Sequence, residues 1–256
     1  MAKKQPPAPA SSRQAKIRAA QGPQGGGANR VVVAAVVVVV AIVAVVGGVV
    51  WSQSQKDAAA GTSTAVPKGT SMGKGYRAFA DVTPVAGAPT VDLYEDFQCP
   101  VCRQFEGAVG TTVTGLAQQG RIVLNYHVLN FLDDKLGVQF STPAANGAFC
   151  AAAGGHFQDF HDAVYADQAP EGTTLDDATL QKWAAAAGIN GDALTTWKQC
   201  VADGTYTRYV TSVNEAAFAI PGFAGTPTVV INGTTADLAS VATPEGFTAA
   251  IQGATS

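Results

Sequence analysis

The segment Cys99-Pro100-Val101-Cys102 constrains this chain more tightly than any other, because two thiols with two residues between them can close into a disulfide and reopen. Its flanks place it in a fold. Thr90 to Phe97 has the β-branched and aromatic content of a strand, and Cys102 to Gln119 carries no proline and reads as a helix. The cysteines therefore sit where a strand hands over to a helix. Pro100 has a fixed φ and lacks an N–H that the first helical turn would leave unpaired, which puts Cys99 at the N-cap and Cys102 one turn inside. Cys99 is then the exposed, attacking sulfur. Free N–H groups and the positive dipole end of a helix favour a thiolate there, taking the pKa from about 8.5 toward roughly 3.5 to 7.5. Cys102 reads as the resolving thiol. The competing use of the pair, half of a zinc site, needs two more thiols or imidazoles at suitable spacing, and the other cysteines stand alone.

Three further segments follow in order: Phe149-Cys150-Ala151-Ala152-Ala153 with Phe157 and His161, then Gly225-Thr226-Pro227-Thr228, then Asn232-Gly233. With Glu95-Asp96-Phe97-Gln98-Cys99-Pro100-Val101-Cys102 at their head, they span about residues 90–235. This sequence resembles the thioredoxin superfamily, and within it the DsbA-like thiol-disulfide oxidoreductases of bacterial envelopes. The resemblance implies a cis Pro227 lying against the active-site disulfide and a Thr226 that offers backbone hydrogen bonds to a bound thiol substrate, with Pro100 and Val101 supporting the cysteines. Taken alone, Thr-Pro-Thr would be an ordinary strand-entry turn. Two departures stand out. The family's strongest oxidants have a histidine where this chain has Val101, which implies a weaker oxidant. Thioredoxin and many relatives place a buried acid where this chain has Leu93. Asp92, Glu95 and Asp96 lie nearby and could take the proton of Cys102, although strand-end solvation is their expected role.

Composition separates the first part of the chain from the rest. Residues 1–30 carry six basic residues and no acid, leaving ten basic against 19 acidic residues beyond them. That asymmetry argues against nucleic-acid binding by the globular part. Val31 to Val50 is a run of 20 uncharged residues, apolar apart from Gly47 and Gly48. As a helix it would be about 30 Å long, enough to span a bilayer. The expected layout is a cytoplasmic basic segment (1–30), a transmembrane signal anchor (31–51), a flexible linker (52–74) and an extracytoplasmic domain (75–256). A cleaved signal peptide, cut near Ala58-Ala59-Ala60, is the alternative.

The domain is expected to be α/β, a thioredoxin fold with a helical block inserted at about 141–219. Strands are read at Tyr76 to Val82, Thr90 to Phe97, Arg121 to Leu129 and Thr228 to Ile231, the last followed by an Asn232-Gly233 hairpin turn. One helix covers Cys99 to Gln119. Others begin at Thr142-Pro143, after Gly155, at a Thr174/Asp177 capping box, near Asp192, near Tyr206 and at Thr243-Pro244. With Cys99 and Cys102 paired locally, Cys150 and Cys200 are left for each other as a structural disulfide across the inserted block, or stay as two buried free thiols. Trp183, Phe157 and Phe160 read as core of that block. Phe223 reads either as groove lining or as core. His127 reads as structural, and His156 and His161, five apart, do not share a helix face as paired ligands would, so no metal or cofactor is assigned.

These readings combine into a membrane-tethered extracytoplasmic oxidoreductase that passes its Cys99–Cys102 disulfide to reduced secreted or envelope proteins. The resemblance implies a quinone-linked membrane reoxidant, DsbB-like or vitamin K epoxide reductase-like. The alternatives are a reductase or isomerase of the same fold, or a non-catalytic chaperone or copper-binding module.

Overall fold

The computed structural model describes residues 63–255. The basic segment, the run read as a transmembrane anchor and linker residues 52–62 lie outside the described residues. Among the described residues no helix is long and apolar enough to cross a membrane.

Five strands of the described residues form one sheet, β1 (Tyr76–Arg77), β2 (Thr90–Asp96), β3 (Val123–Leu129), β4 (Thr228–Ile231) and β5 (Thr234–Thr235), in the order β1-β3-β2-β4-β5. β2 and β3 are parallel, with Leu93 opposite Tyr126 and Glu95 opposite Val128. Parallel neighbours need a crossover, here supplied by α1 (Pro100–Phe105), a π-helical turn (Glu106–Gly110) and α2 (Thr111–Gln118). Between β3 and β4 come α3 (Phe131–Leu136), α4 (Ser141–Ala153), α5 (Phe157–Ala166), α6 (Asp177–Ala186), α7 (Gly191–Ala202) and α8 (Thr207–Ala217). β4 runs antiparallel to β2, Thr228 opposite Tyr94, and the chain ends in α9 (Leu238–Val241) and α10 (Pro244–Ala254). This is the α/β thioredoxin fold with helices inserted between its halves.

One apolar core joins sheet and inserted block. Val91, Leu93, Leu124 and Tyr126 of the strands are buried together with Phe149, Phe157, Phe160 and Trp183 of the helices. Phe157 does more than fill the block, because its ring centroid lies 5.4 Å from that of Tyr126 on the central strand. Cys150 and Cys200 form a disulfide that ties α4 to α7, with Cα atoms 5.8 Å apart.

Several elements differ from their sequence reading. The first strand is two residues long, not seven, because Phe79 takes a left-handed φ of 51° and Val82 N–H turns back to donate to the Phe79 carbonyl. The crossover helix is broken by the π turn. α6 is capped by Asp176, whose carboxylate accepts from Thr179 N–H at 2.7 Å, two residues beyond the Thr174 box. The short α3, absent from the sequence reading, is closed by Gly137 in the left-handed region. Linker residues 63–74 are docked rather than free: Ser63 Oγ donates to the Thr205 carbonyl at 2.8 Å, and Tyr209 OH donates to the Lys74 carbonyl at 2.6 Å.

Candidate active site

β2 delivers Cys99 to the start of α1, and the local hydrogen bonds hold it there. Cys99 N–H donates to the Asp96 carbonyl at 2.9 Å, and the Cys99 sulfur, at the N-cap, accepts from Cys102 N–H at 3.4 Å. From the other side, the loop before β4 closes over the sulfur. The Thr226-Pro227 peptide is cis, and Cys99 Sγ donates to the Thr226 carbonyl at 3.3 Å. Gln168, which sequence reasoning missed, reaches in from beyond α5 and donates to the carbonyls of Phe97 and Cys99 at 2.9 and 3.0 Å. The expectation of an exposed Cys99 therefore needs correcting. The residue is 7% exposed, because the Thr226 loop and the helix start cover all but an edge, while Val101 is 47% exposed.

Both cysteines of the motif are free thiols with opposed acidities. Cys99 is lowered to about 6, first by the hydrogen bond from the Cys102 thiol, against desolvation, and then by Thr226 and the N–H groups of Cys102 and Val101. The Thr226 hydroxyl is buried and otherwise unpartnered, and so free to serve a thiolate. Cys102 is wholly buried, and that burial first, then Cys99 and the charge of Glu95, pushes its thiol well up. One sulfur is poised as a nucleophile and leaving group, the other held protonated behind it.

The acids near the motif are not solvated strand ends. Asp96 is fully buried and accepts from Gln98 N–H at 2.9 Å, Ser141 Oγ at 2.5 Å and Leu132 N–H at 3.3 Å. Burial raises it to about 7, against those three hydrogen bonds and with the charge of Asp133 adding to the rise. Asp133 in turn accepts from the N–H groups of Phe140, Ser141 and Thr142 at 2.7 to 2.8 Å, which caps α4 from seven to nine residues away. Asp92 pairs with His127 Nε2 at 2.9 Å, and the His127 ring stacks on Tyr94 at 4.0 Å, so His127 is structural. These side chains line a cavity of about 360 Å³ that does not include either cysteine of the motif. Gly75 beside it has no room for a side chain, since a Cβ there would lie 2.5 Å from His127 Nε2.

Glu95 and His161, which no sequence signal connected, meet behind the motif. His161 is fully buried, with Nε2 2.9 Å from Glu95 Oε2 and Nδ1 3.2 Å from Asp162 Oδ1. Burial opposes its charge, but the bonds to Asp162 and Glu95 and the charges of Glu95 and Glu106 raise it to about 10. Ligating atoms of Glu95, Glu106 and His161 all lie within 4.8 Å of one another, a spacing that a metal site would share. With both ring nitrogens facing carboxylates, however, His161 is an imidazolium that donates twice and keeps no lone pair for a cation. Phe223 packs edge-on against Tyr94 and Phe218, at 6.1 and 5.3 Å, as part of an aromatic cluster.

Residues 85–253 match the family model described as thioredoxin. Among solved structures, the chain is similar to reduced DsbA from Mycobacterium tuberculosis, with 29% identity and a TM-score of 0.57 over 71% of this chain and 92% of that one. It is also similar to the reduced disulfide oxidoreductase DsbG from Mycobacterium tuberculosis, with 29% identity and a TM-score of 0.55 over 68% of this chain and 83% of that one. Among curated proteins, it is 27% identical over 150 residues to the serine/threonine-protein kinase PknE of Mycobacterium tuberculosis, which is 55% of this chain and 26% of the kinase. The chain thus spans about a quarter of the length of the curated relatives it matches.

Proposed function

Since this chain belongs to the thioredoxin family, and its structural likenesses make it a DsbA-like thiol-disulfide oxidoreductase, we propose that it is a membrane-tethered, extracytoplasmic oxidant that introduces disulfides into secreted or envelope proteins. The observation that carries the direction is the acidity of Cys99, lowered to about 6. A thiolate stabilised in the reduced enzyme makes the reduced form the more stable partner, and so makes the disulfide a stronger oxidant.

In this reading a substrate thiolate attacks Cys99 Sγ of the Cys99–Cys102 disulfide. The electron pair of the broken bond leaves on Cys102, and a mixed disulfide joins substrate to Cys99. A second substrate thiolate then attacks the substrate sulfur of that bond and expels Cys99 as a thiolate. The substrate gains a disulfide, and the enzyme holds two electrons that a quinone-linked membrane oxidant of the DsbB or vitamin K epoxide reductase kind would remove. Thr226 supplies backbone hydrogen bonds to the bound substrate, as its carbonyl now does to Cys99. An anchor at residues 31–51 would place the domain outside the membrane, and the Cys150–Cys200 bridge suits an oxidising compartment.

Oxidised full-length protein mixed with a reduced, unfolded disulfide protein should restore its activity. Cys102→Ser should accumulate substrates linked through Cys99, whereas Cys99→Ser should trap none. Equal trapping by the two variants would overturn the assignment of the attacking sulfur.

A further inference from the structure

A single amide on the inserted block holds the backbone that leads into the motif. Phe97 lies one residue past the end of β2, and Cys99 caps α1 with a carbonyl whose intrahelical bond, from Arg103 N–H, is long at 3.3 Å. Gln168 Nε2 donates to the carbonyls of both residues, at 2.9 and 3.0 Å. One nitrogen thus uses its two hydrogens on acceptors two residues apart. Sharing that donor fixes the two carbonyls relative to each other, and with them the backbone that aims the Cys99 side chain. Its Sγ lies between Cys102 N–H and the Thr226 carbonyl.

The contact runs in both directions. Gln98, wholly buried, gives its Oε1 to Gly172 N–H at 2.8 Å, and its Nε2 donates to Ser141 Oγ at 3.2 Å. The loop from Asp167 to Gly172 is in turn tied to α6, where Asp167 Oδ2 accepts from Trp183 Nε1 at 3.2 Å and from Lys182 Nζ at 2.7 Å. Trp183 belongs to the core of the block. Two glutamines, one from each side, therefore clasp the motif loop to a segment that a buried tryptophan anchors. Gln168 itself is half-buried on a loop, so exchanging it leaves the core of the block intact.

We infer that Gln168 is a positioning residue for the attacking sulfur: its two hydrogen bonds hold the Phe97–Cys99 backbone in the shape that presents Cys99 Sγ to the helix start and the Thr226 loop, and so stabilise its thiolate. The role rests on the oxidoreductase reading above and names part of what sets its direction. The amide works through geometry and through charge. Its N–H groups offset the negative ends of two carbonyls beside the sulfur, one of them that of Cys99, so a thiolate there meets less repulsion. Charged and titratable neighbours come from every side: Glu95 and Asp96 of β2, Cys102 and Arg103 of α1, Tyr165 of α5, Asp167 of the loop and Lys182 of α6. All of them are kept in the variants below.

The test compares full-length wild type with Gln168→Met, which keeps the length of the side chain and removes both donors, and with Gln168→Lys, which keeps a donor and adds a positive charge. In the reduced proteins, the pH dependence of Cys99 alkylation reads the thiolate. Its midpoint, about 6 in the wild type, should rise by at least about half a pH unit in Gln168→Met and stay at or below the wild-type value in Gln168→Lys. At about pH 8 the same rise should shift the equilibrium with glutathione about threefold toward the disulfide. A merely structural role would lower the melting temperature without moving either readout. Equal midpoints for wild type and Gln168→Met would overturn the positioning role, as would equal rises in both variants, which would make packing the cause. If Cys99 of the wild type titrated near the ordinary thiol value of about 8.5, the oxidant reading would fall, and this role with it. Should Gln168→Met not fold, a midpoint above the wild-type value in Gln168→Lys overturns the role by itself.

Discussion

At the scale of single residues, a sulfur held between a helix start and the Thr226 loop should behave as an acid. Alkylation of Cys99 in the reduced protein should rise with pH around a midpoint of about 6, with Cys102 silent through the neutral range. The same acidity bears on stability. The folded thiol is lowered from 9.0 to about 6, so its contribution is fully present above the unfolded value and is lost as pH falls through 6. The reduced form should therefore gain thermal stability over the oxidised form as pH rises from 6 to 9, and thermal melts of the two forms across that range check it. An unchanging gap would show that Cys99 is not acidic. The motif itself was legible because its chemistry is local: two sulfurs, a proline and a strand-to-helix boundary lie within a few residues. The roles of Glu95 and Asp96 were not. Their partners, His161 and Ser141, stand 66 and 45 positions away, and nothing in a run of strand residues announces a distant imidazole or hydroxyl.

At the scale of elements, the π turn and the inserted block each make a testable claim. Gly110→Ala puts a Cβ where the Glu106 carboxyl lies, and overpacking of this kind costs about 1–3 kcal/mol. Gly107, one residue after Glu106, has open space around the same added atom, so Gly107→Ala should be neutral or gain up to about 1 kcal/mol. Chemical denaturation of the two variants should separate them by sign. The Cys150–Cys200 bridge closes a separation of 50 residues, and in the chain-entropy model a loop of that size is worth about 4 kcal/mol before strain. Replacing both cysteines with alanine should lower the melting temperature yet leave activity through Cys99 in place. An unchanged melt would contradict a structural role. Most helices of the block were legible from proline, glycine and capping residues near their ends. The π turn was not, because Glu106 to Gly110 has no local signal apart from its glycines, and the packing of the Glu106 carboxyl over Gly110 shows only in three dimensions. α3 was missed for a similar reason: six residues are too few to show a periodicity, and the helix is held by Asp133 serving both its own turn and the start of α4.

At the scale of the whole molecule, the proposed anchor and the redox direction belong together, since an oxidant needs an oxidising compartment and a partner to recharge it. The 20-residue apolar run behind six basic residues should keep the full-length protein in membranes through a carbonate wash. Recovery of a soluble mature form starting near Ser52 to Gly61 would replace the anchor with a cleaved leader. The parallel β2–β3 pair, its crossover and the antiparallel return at β4 were legible as a thioredoxin fold because the motifs occur in the order that this topology demands. The docking of residues 63–74 onto the domain was not, since their Ser, Thr and Gly content reads as a linker until Tyr209 and Thr205 are seen to hold it. The reduction potential of Cys99–Cys102, measured by equilibration with glutathione, tests the central claim most directly. The acidic Cys99 raises it and Val101 in the histidine position tempers it, so it should lie above about −270 mV, the value for thioredoxin, and below about −120 mV, the value for DsbA. A potential at or below about −270 mV, with insulin reduced faster than substrate thiols are oxidised, would contradict the account and make this protein a reductase.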